Sequence, residues 1–391
     1  MSWNIEKISR RLASSVSYGA TQLAPRFFTL VISWILIRRY YSELWGEYVE
    51  VFLIVNLAAM VLSFGNFQYL LKEFSTHPGN IYQVWSRCLT TRLLLIVPMS
   101  LLAKAFYFSD LPVSYLIVWL IVVFVNQSFQ VLIVFNKVFK KALYVELLSG
   151  TVLVIAVLSH SGPLSLELFI QIVILSLLAK MLLYVVTFWH AVLSFQVKVD
   201  LRVFKEALPF ALLSFMGTVR AQSDIYMVAL FLDSSSVGQY HVLITVVTVV
   251  ESGAAYIFNP SARLLYRTRD ATLQSLKRAA LVVGIPFAFL SCLGSYMVLS
   301  TFYSLQFPTW FYLAILVFSF PQLFKMIVVN EFYKLNGQNA LALLAFIFVC
   351  FQGILGYSLI PSSGIQAAIA LRVGGFLVHL LTLQFFLRYY R

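Results

Sequence analysis

Charge is scarce in this chain. Only 11% of its 391 residues are Asp, Glu, Lys or Arg, against roughly a quarter in an ordinary water-soluble domain, and that scarcity excludes a conventional soluble fold. Cysteine is scarcer: Cys88, Cys292 and Cys350 are an odd set of three in apolar stretches, which gives neither a disulfide framework nor the paired spacing of a metal site. The five histidines, at 77, 160, 190, 241 and 379, are scattered among different segments. No "GxxxxGK[ST]", "GxGxxG" or "HExxH" occurs, so the phosphate-cradling loop of an ATPase and the two-histidine helix of a zinc enzyme are both missing. No metal and no cofactor is expected. Outside the basic loops, long connections are lacking as well; segments such as "DSSSVG" and "IPSSG" leave little chain on which to build a catalytic site, and an enzyme is disfavoured.

What is present is hydrocarbon-compatible sequence. Hydrophobic residues make up 61% of the chain and the mean hydropathy is +0.89. Windows of about twenty apolar residues, enough to cross ~30 Å of hydrocarbon, recur throughout at 15–37, 46–71, 86–107, 112–135, 143–160, 165–193, 206–232, 238–260, 279–302, 308–330, 340–360 and 364–388. Lipid cannot satisfy backbone polar groups, and runs this long lack the ten-residue alternation of barrel strands. The fold class is therefore all-α integral membrane, with about twelve transmembrane helices.

Lys and Arg concentrate in alternate loops: "NKVFKK", "KVDLRVFKE", "RLLYRTRDATLQSLKR" and the terminal "RYYR". The positive-inside rule then puts both termini in the cytoplasm. The net charge of +13 is a topology signal that calls for no nucleic acid. The first apolar run ends in "IRRYY", without a small-residue cleavage site, so it is expected to remain as helix one.

One internal repeat is visible. Arg26 precedes "RRYYSELWGEYVEVFLIVN", and Arg220 precedes "DSSSVGQYHVLITVVT"; Gly46 and Tyr48 match Gly238 and Tyr240 at an offset of 192. Six helices separate the copies, which predicts two lobes of parallel topology, 1–195 and 196–391, related by an axis along the membrane normal.

Polar residues three and four apart share a helix face. Helix one carries Tyr18, Gln22, Arg26, Thr29 and Ser33; helix eight carries His241, Thr245, Thr248, Ser252 and Asn259, with Glu251 beside them. Helix six adds Lys180 and Tyr184, helix seven Gly217, Arg220 and Asp224, and helix twelve Arg372, Gly375 and His379. An ion at a helix centre costs about 2.5 to 3.5 kcal/mol, so such groups must face water, a ligand or one another. Arg26, Lys180 and Arg220, near the midpoints of their spans, and Arg372 and Lys325, nearer an end, stand against Asp224 and Glu251 as the deep carboxylates. If they share a cavity it is net cationic and suits a phosphorylated or carboxylated ligand. Each cation is equally open to being a structural ion pair or to snorkelling. Arg220 and Asp224, four apart, are placed to neutralise each other within their helix.

The stretch "SSVSYGATQLAPRFFTLVISWILIRRYYSELWGEYVEVFLIVNLAAMVLSFGNFQYLLKEFS" resembles the N-terminal region of Wzx-type O-antigen flippases, in the superfamily that includes multidrug and toxin extruders. The likeness rests on the Arg of helix one, on "WGEY" and on "SFGNFQYLLKEFS". It implies two six-helix lobes around a central cavity, in a bacterial inner membrane. The cargo it implies is an oligosaccharide on undecaprenyl diphosphate, flipped to the periplasmic leaflet, with a polysaccharide polymerase and chain-length proteins as partners. In that setting Arg26, Lys180, Arg220 and Arg372 would meet the diphosphate or acidic sugars, Gln22 and Tyr18 would line the path, and Tyr18 and Tyr184 would stack on sugar rings. Asp224 and Glu251 would be counterions or proton carriers. Two other readings stay open: a polymerase or glycosyltransferase using the same lipid carrier, and an ion-coupled exporter of small cations, which would need an excess of carboxylates in its cavity.

Overall fold

The computed structural model describes residues 5–40, 42–76, 78–106, 112–258, 270–305, 307–335 and 337–390. Asn259 and the stretch 263–269 of the basic loop "RLLYRTRDATLQSLKR" lie outside the described residues. The described regular structure is helical throughout. In chain order it comprises α1 (Ile5–Arg39), α2 (Ser42–Ser63), α3 (Asn66–Thr76), α4 (Ile81–Leu93), α5 (Ile96–Phe106), α6 (Val113–Asn136), α7 (Phe139–Ser159) and α8 (Leu166–Thr187). There follow α9 (Trp189–Leu193), α10 (Arg202–Phe231), α11 (Ser234–Phe258), α12 (Asp270–Tyr296), α13 (Thr309–Ser319), α14 (Gln322–Lys334) and α15 (Gln338–Tyr390).

Among the described residues, eight stretches are long and apolar enough to cross a membrane, or nine if α4 and α5, bent by 41° at their junction, form one crossing. One of the eight, Ala340–Arg388, holds 49 residues, which as a single helix would extend about 70 Å, more than twice the hydrocarbon thickness. It is two arms broken at Gly364 (φ 58°, ψ −143°), where "IPSSG" predicts a loop. The helices α10 and α11, of 30 and 25 residues, are long enough to cross but diluted by polar side chains. Adding them and the second arm of α15 gives the expected twelve. The long spans are not uniform rods. The segment Ser42–Thr76 breaks at Phe64 and Gly65, both left-handed (φ 39° and 67°). The segment Thr309–Phe332 breaks before Gln322, where Pro321 removes a backbone donor.

The chain forms two compact units: 1–46 with 219–391, and 47–218. They are cut differently from the halves 1–195 and 196–391 expected from the repeat. The reason lies in α1, whose polar stripe meets that of α11: the Arg26 guanidinium donates to the Thr248 carbonyl at 2.6 Å and to the Ser252 hydroxyl. Nearer its C-terminal end, Ser33 and Tyr303 share a hydrogen bond of 2.7 Å and the Trp34 indole donates to the Phe302 carbonyl at 2.7 Å. In lipid, where hydrocarbon burial no longer drives helices together, such bonds and close packing select partners.

The unit 47–218 holds an aromatic interior in which Phe129 stacks on Phe188 and tilts against Trp85 and Tyr184. Here "SFGNFQYLLKEFS" has a structural task. The fully buried Arg92 donates to Asn66 Oδ1 at 2.6 Å and to the Phe64 carbonyl at 3.4 Å, so it satisfies acceptors freed by the break. Gly65 is required there, because a Cβ would stand 2.5 Å from the Ala211 nitrogen. The connecting segment before α10 is pinned alongside by Arg87–Asp200 at 3.3 Å, and the first turns of α10 by the Tyr69 hydroxyl on Glu206 at 2.7 Å.

A charged cavity in the unit 1–46 with 219–391

Five ionisable side chains line one cavity in this unit: Arg220 and Asp224 from α10, Glu251 from α11, Lys325 from α14 and Arg372 from the second arm of α15. Helical geometry assembles the set. Arg220 and Asp224 share a face at i and i+4, Arg372 and Gly375 share one at i and i+3, and the break at Pro321 separates Phe318 from Lys325, which both reach the cavity. Phe318 packs on Phe376 with ring centroids 4.6 Å apart, and the Lys325 ammonium sits 4.9 Å from the Phe376 ring centre. The lining is thus part aromatic and part ionic. Gly375 keeps the cavity open to Gln352, whose amide nitrogen would lie 2.5 Å from an added Cβ.

The charges pair in a pattern that differs from the i, i+4 expectation. Asp224 does not hold Arg220. Its Oδ2 accepts from Arg372 Nη1 at 2.7 Å and from the Tyr240 hydroxyl at 2.6 Å, and Arg372 also donates to the Ala221 carbonyl at 3.2 Å. Lys325 Nζ lies 2.8 Å from Glu251 Oε1. The physical reason is reach: an intrahelical pair stays at the helix surface, whereas Arg372 approaches Asp224 from another helix and Tyr240 of α11 reaches the same carboxylate oxygen. Arg220 is left with no ion pair and no hydrogen bond among the described residues, although it lines the cavity. Three cations face two carboxylates, so the cavity carries one net positive charge. Its volume of about 40 Å³ gives room for roughly three waters at ~10–15 Å³ each. In the conformation described two of the three cations are held by carboxylates.

The other expected site residues go elsewhere. Lys180 lies in the unit 47–218, 2.7 Å from Glu146, which also accepts from the Tyr184 hydroxyl at 2.9 Å. Arg26 is engaged by α11 as described, and neither Gln22 nor Tyr18, both partly buried, lines the cavity. Asp224 and Glu251 are not the only deep carboxylates: Glu146 and Glu331 are 4% and 3% exposed. Sequence reasoning passed over Glu146 although it sits in the apolar run "YVELLSG", and it left Lys325 outside the site although that lysine interrupts "FPQLFKMIVV". A lone charge in a hydrophobic window is the signal that finds both.

The pairing of Lys180 makes a distinct prediction. Lys180→Met leaves a buried Glu146 charge uncompensated and should cost about 3 kcal/mol or more of stability, while Lys180→Met with Glu146→Gln should recover it. Thermal unfolding of detergent-solubilised protein reads the difference. Equal destabilisation of the single and double variants would contradict a structural pair.

No protein-family profile and no curated protein matches the chain. Solved structures do. The chain is similar over 96% of its length to a multidrug resistance MATE family transporter of the MOP superfamily in its inward-facing conformation, with 12% identity, 97% of that chain covered and a TM-score of 0.64. It is similar to MATE in the bent conformation at 11% identity, over 97% of this chain and 94% of that one, with a TM-score of 0.59. A third is a MOP superfamily transporter from Pyrococcus furiosus Vc1, described as having a binding pocket of reverse polarity that suggests a different function. It matches at 12% identity, over 97% of this chain and 94% of that one, with a TM-score of 0.53. The class is thus settled as a multi-pass, all-α membrane protein. More narrowly, its fold is the one shared by the MATE transporters of the MOP superfamily.

Proposed function

We propose that this chain carries an anionic, lipid-linked oligosaccharide across the membrane by alternating access, the cargo being a sugar unit on undecaprenyl diphosphate destined for a surface polysaccharide. The observation that carries the proposal is Arg220, a guanidinium lining a cavity without an ion pair or hydrogen bond among the described residues, beside two further cations paired with carboxylates. A planar guanidinium binds phosphate through two parallel hydrogen bonds. A diphosphate seated on Arg220 then competes with Asp224 for Arg372 and with Glu251 for Lys325. The aromatic wall of Phe318 and Phe376 offers an apolar face to a sugar ring. The similar Pyrococcus furiosus transporter is described as having a binding pocket of reverse polarity; in this chain the net positive charge of the cavity favours an anion.

The second reading, an ion-coupled exporter of cationic compounds, draws on the multidrug transporters of the same fold. A cationic drug would have to displace Arg372 and Lys325 from their carboxylates and would still meet Arg220. Purified protein in liposomes with a fluorescent undecaprenyl diphosphate oligosaccharide decides among the readings. Movement of unmodified substrate between leaflets supports the proposal. Chain growth would indicate a polymerase, and proton-driven movement of a cationic dye without movement of the lipid would indicate the exporter.

A further inference from the structure

Small residues four apart open both α2 and α11: Ser42 and Gly46, Ser234 and Gly238. The two pairs are related by the offset of 192 that defines the repeat, and all four residues belong to the unit 1–46 with 219–391. They lie against each other. The Ser42 and Ser235 hydroxyls are 2.9 Å apart. A Cβ on Gly46 would coincide with the Ser234 carbonyl, and one on Gly238 would stand 3.0 Å from the Ser42 carbonyl oxygen and 3.1 Å from the Gly46 nitrogen. Behind them the Trp45 and His241 rings meet edge to face at 5.4 Å.

The contact is reciprocal: the carbonyl of Ser42 lies at Gly238 while the carbonyl of Ser234 lies at Gly46. Two copies of one motif exchange the same contact, as on a two-fold axis. Small-xxx-small pairs let helix backbones touch, and here each glycine faces the backbone carbonyl of the other copy's serine. Such a crossing excludes water by backbone proximity. The Ser42–Ser235 hydroxyl bond that accompanies the backbone contact is of a kind that contributes only about 0.6 kcal/mol on average in lipid, so it can break and re-form as the path opens and closes.

We propose that the crossing of Ser42–Gly46 with Ser234–Gly238 is a reversible seal, closed in the conformation described, that opens once per transport cycle on the membrane face opposite the basic loops. The proposal rests on the transport reading above and adds to it the place where the path is shut. Glycine at 46 is the condition for closure.

The test uses the full chain in liposomes, with Cys88, Cys292 and Cys350 replaced by serine and with Ser42→Cys and Ser235→Cys introduced together. Oxidation should cross-link the pair and abolish flipping, and reductant should restore it. Complete cross-linking with undiminished flipping would overturn the seal, as would failure of the pair to cross-link at all. If the reduced variant and the wild type both fail to flip lipid-linked oligosaccharide, the transport reading falls, and a second measurement still judges the seal. Gly46→Leu should raise labelling of a single Ser235→Cys by a membrane-impermeant maleimide several-fold, and unchanged labelling counts against it.

Discussion

Asp224→Asn is expected to be among the most damaging single substitutions in the unit 1–46 with 219–391. The carboxylate is 7% exposed and accepts from Arg372 at 2.7 Å and Tyr240 at 2.6 Å. Removing its charge strands a guanidinium among apolar neighbours such as Phe318 and Phe376. Breaking one member of a buried pair costs about 3–5 kcal/mol, chiefly through the charge left behind, whereas removing both is often nearly neutral. Asp224→Asn should therefore lower the unfolding temperature sharply, and Asp224→Asn with Arg372→Gln should bring most of it back. Tyr240→Phe, which deletes one hydrogen bond and no charge, should cost only about 1 kcal/mol. A double variant as unstable as the single would show that Arg372 is satisfied by something other than Asp224.

Arg220→Gln should behave in the opposite way. The side chain has no ion pair or hydrogen bond among the described residues, so its loss strands nothing, and stability should hold or rise. Transport should fall, because a charge-assisted hydrogen bond to a phosphate contributes about 1.5–3 kcal/mol, or roughly ten- to a hundredfold in affinity. Arg220→Lys, which keeps the charge but loses the planar fork, should retain an intermediate rate. Flipping measured beside thermal unfolding separates the two variants: Asp224→Asn loses stability first and Arg220→Gln loses activity alone. Undiminished flipping by a well-folded Arg220→Gln protein would remove the cavity from the proposed mechanism.

The architecture was legible because hydrophobic length is a local property. Each of the twelve spans announces itself within about twenty residues, and even the turn at Gly364 appears as "IPSSG". Pairing is not local. Asp224 and Arg372 are 148 residues apart, and only the packing of α10 against the end of the chain brings them together. From sequence, the i, i+4 neighbour looked the better partner for Asp224. Lys180 and Arg220 look alike as lone cations in apolar windows, yet one meets Glu146 and the other meets a cavity. The repeat was read from Gly46 and Gly238, and their reciprocal contact supplies a physical reason for it: each glycine makes room for the other copy's backbone.

Glu146 has a further consequence, for how the chain enters its membrane. It lies on α7 and its partner Lys180 on α8, with only six residues between the two helices. Either helix inserted alone would bring a full charge into hydrocarbon at a cost of about 2.5 to 3.5 kcal/mol. Delivered together as a hairpin, with the Tyr184 hydroxyl closing on the same carboxylate, the pair enters as a neutral unit. The ion pair thereby favours co-insertion of the fifth and sixth crossings during synthesis, and a biogenesis assay on the isolated α7–α8 hairpin is where its effect should first be seen.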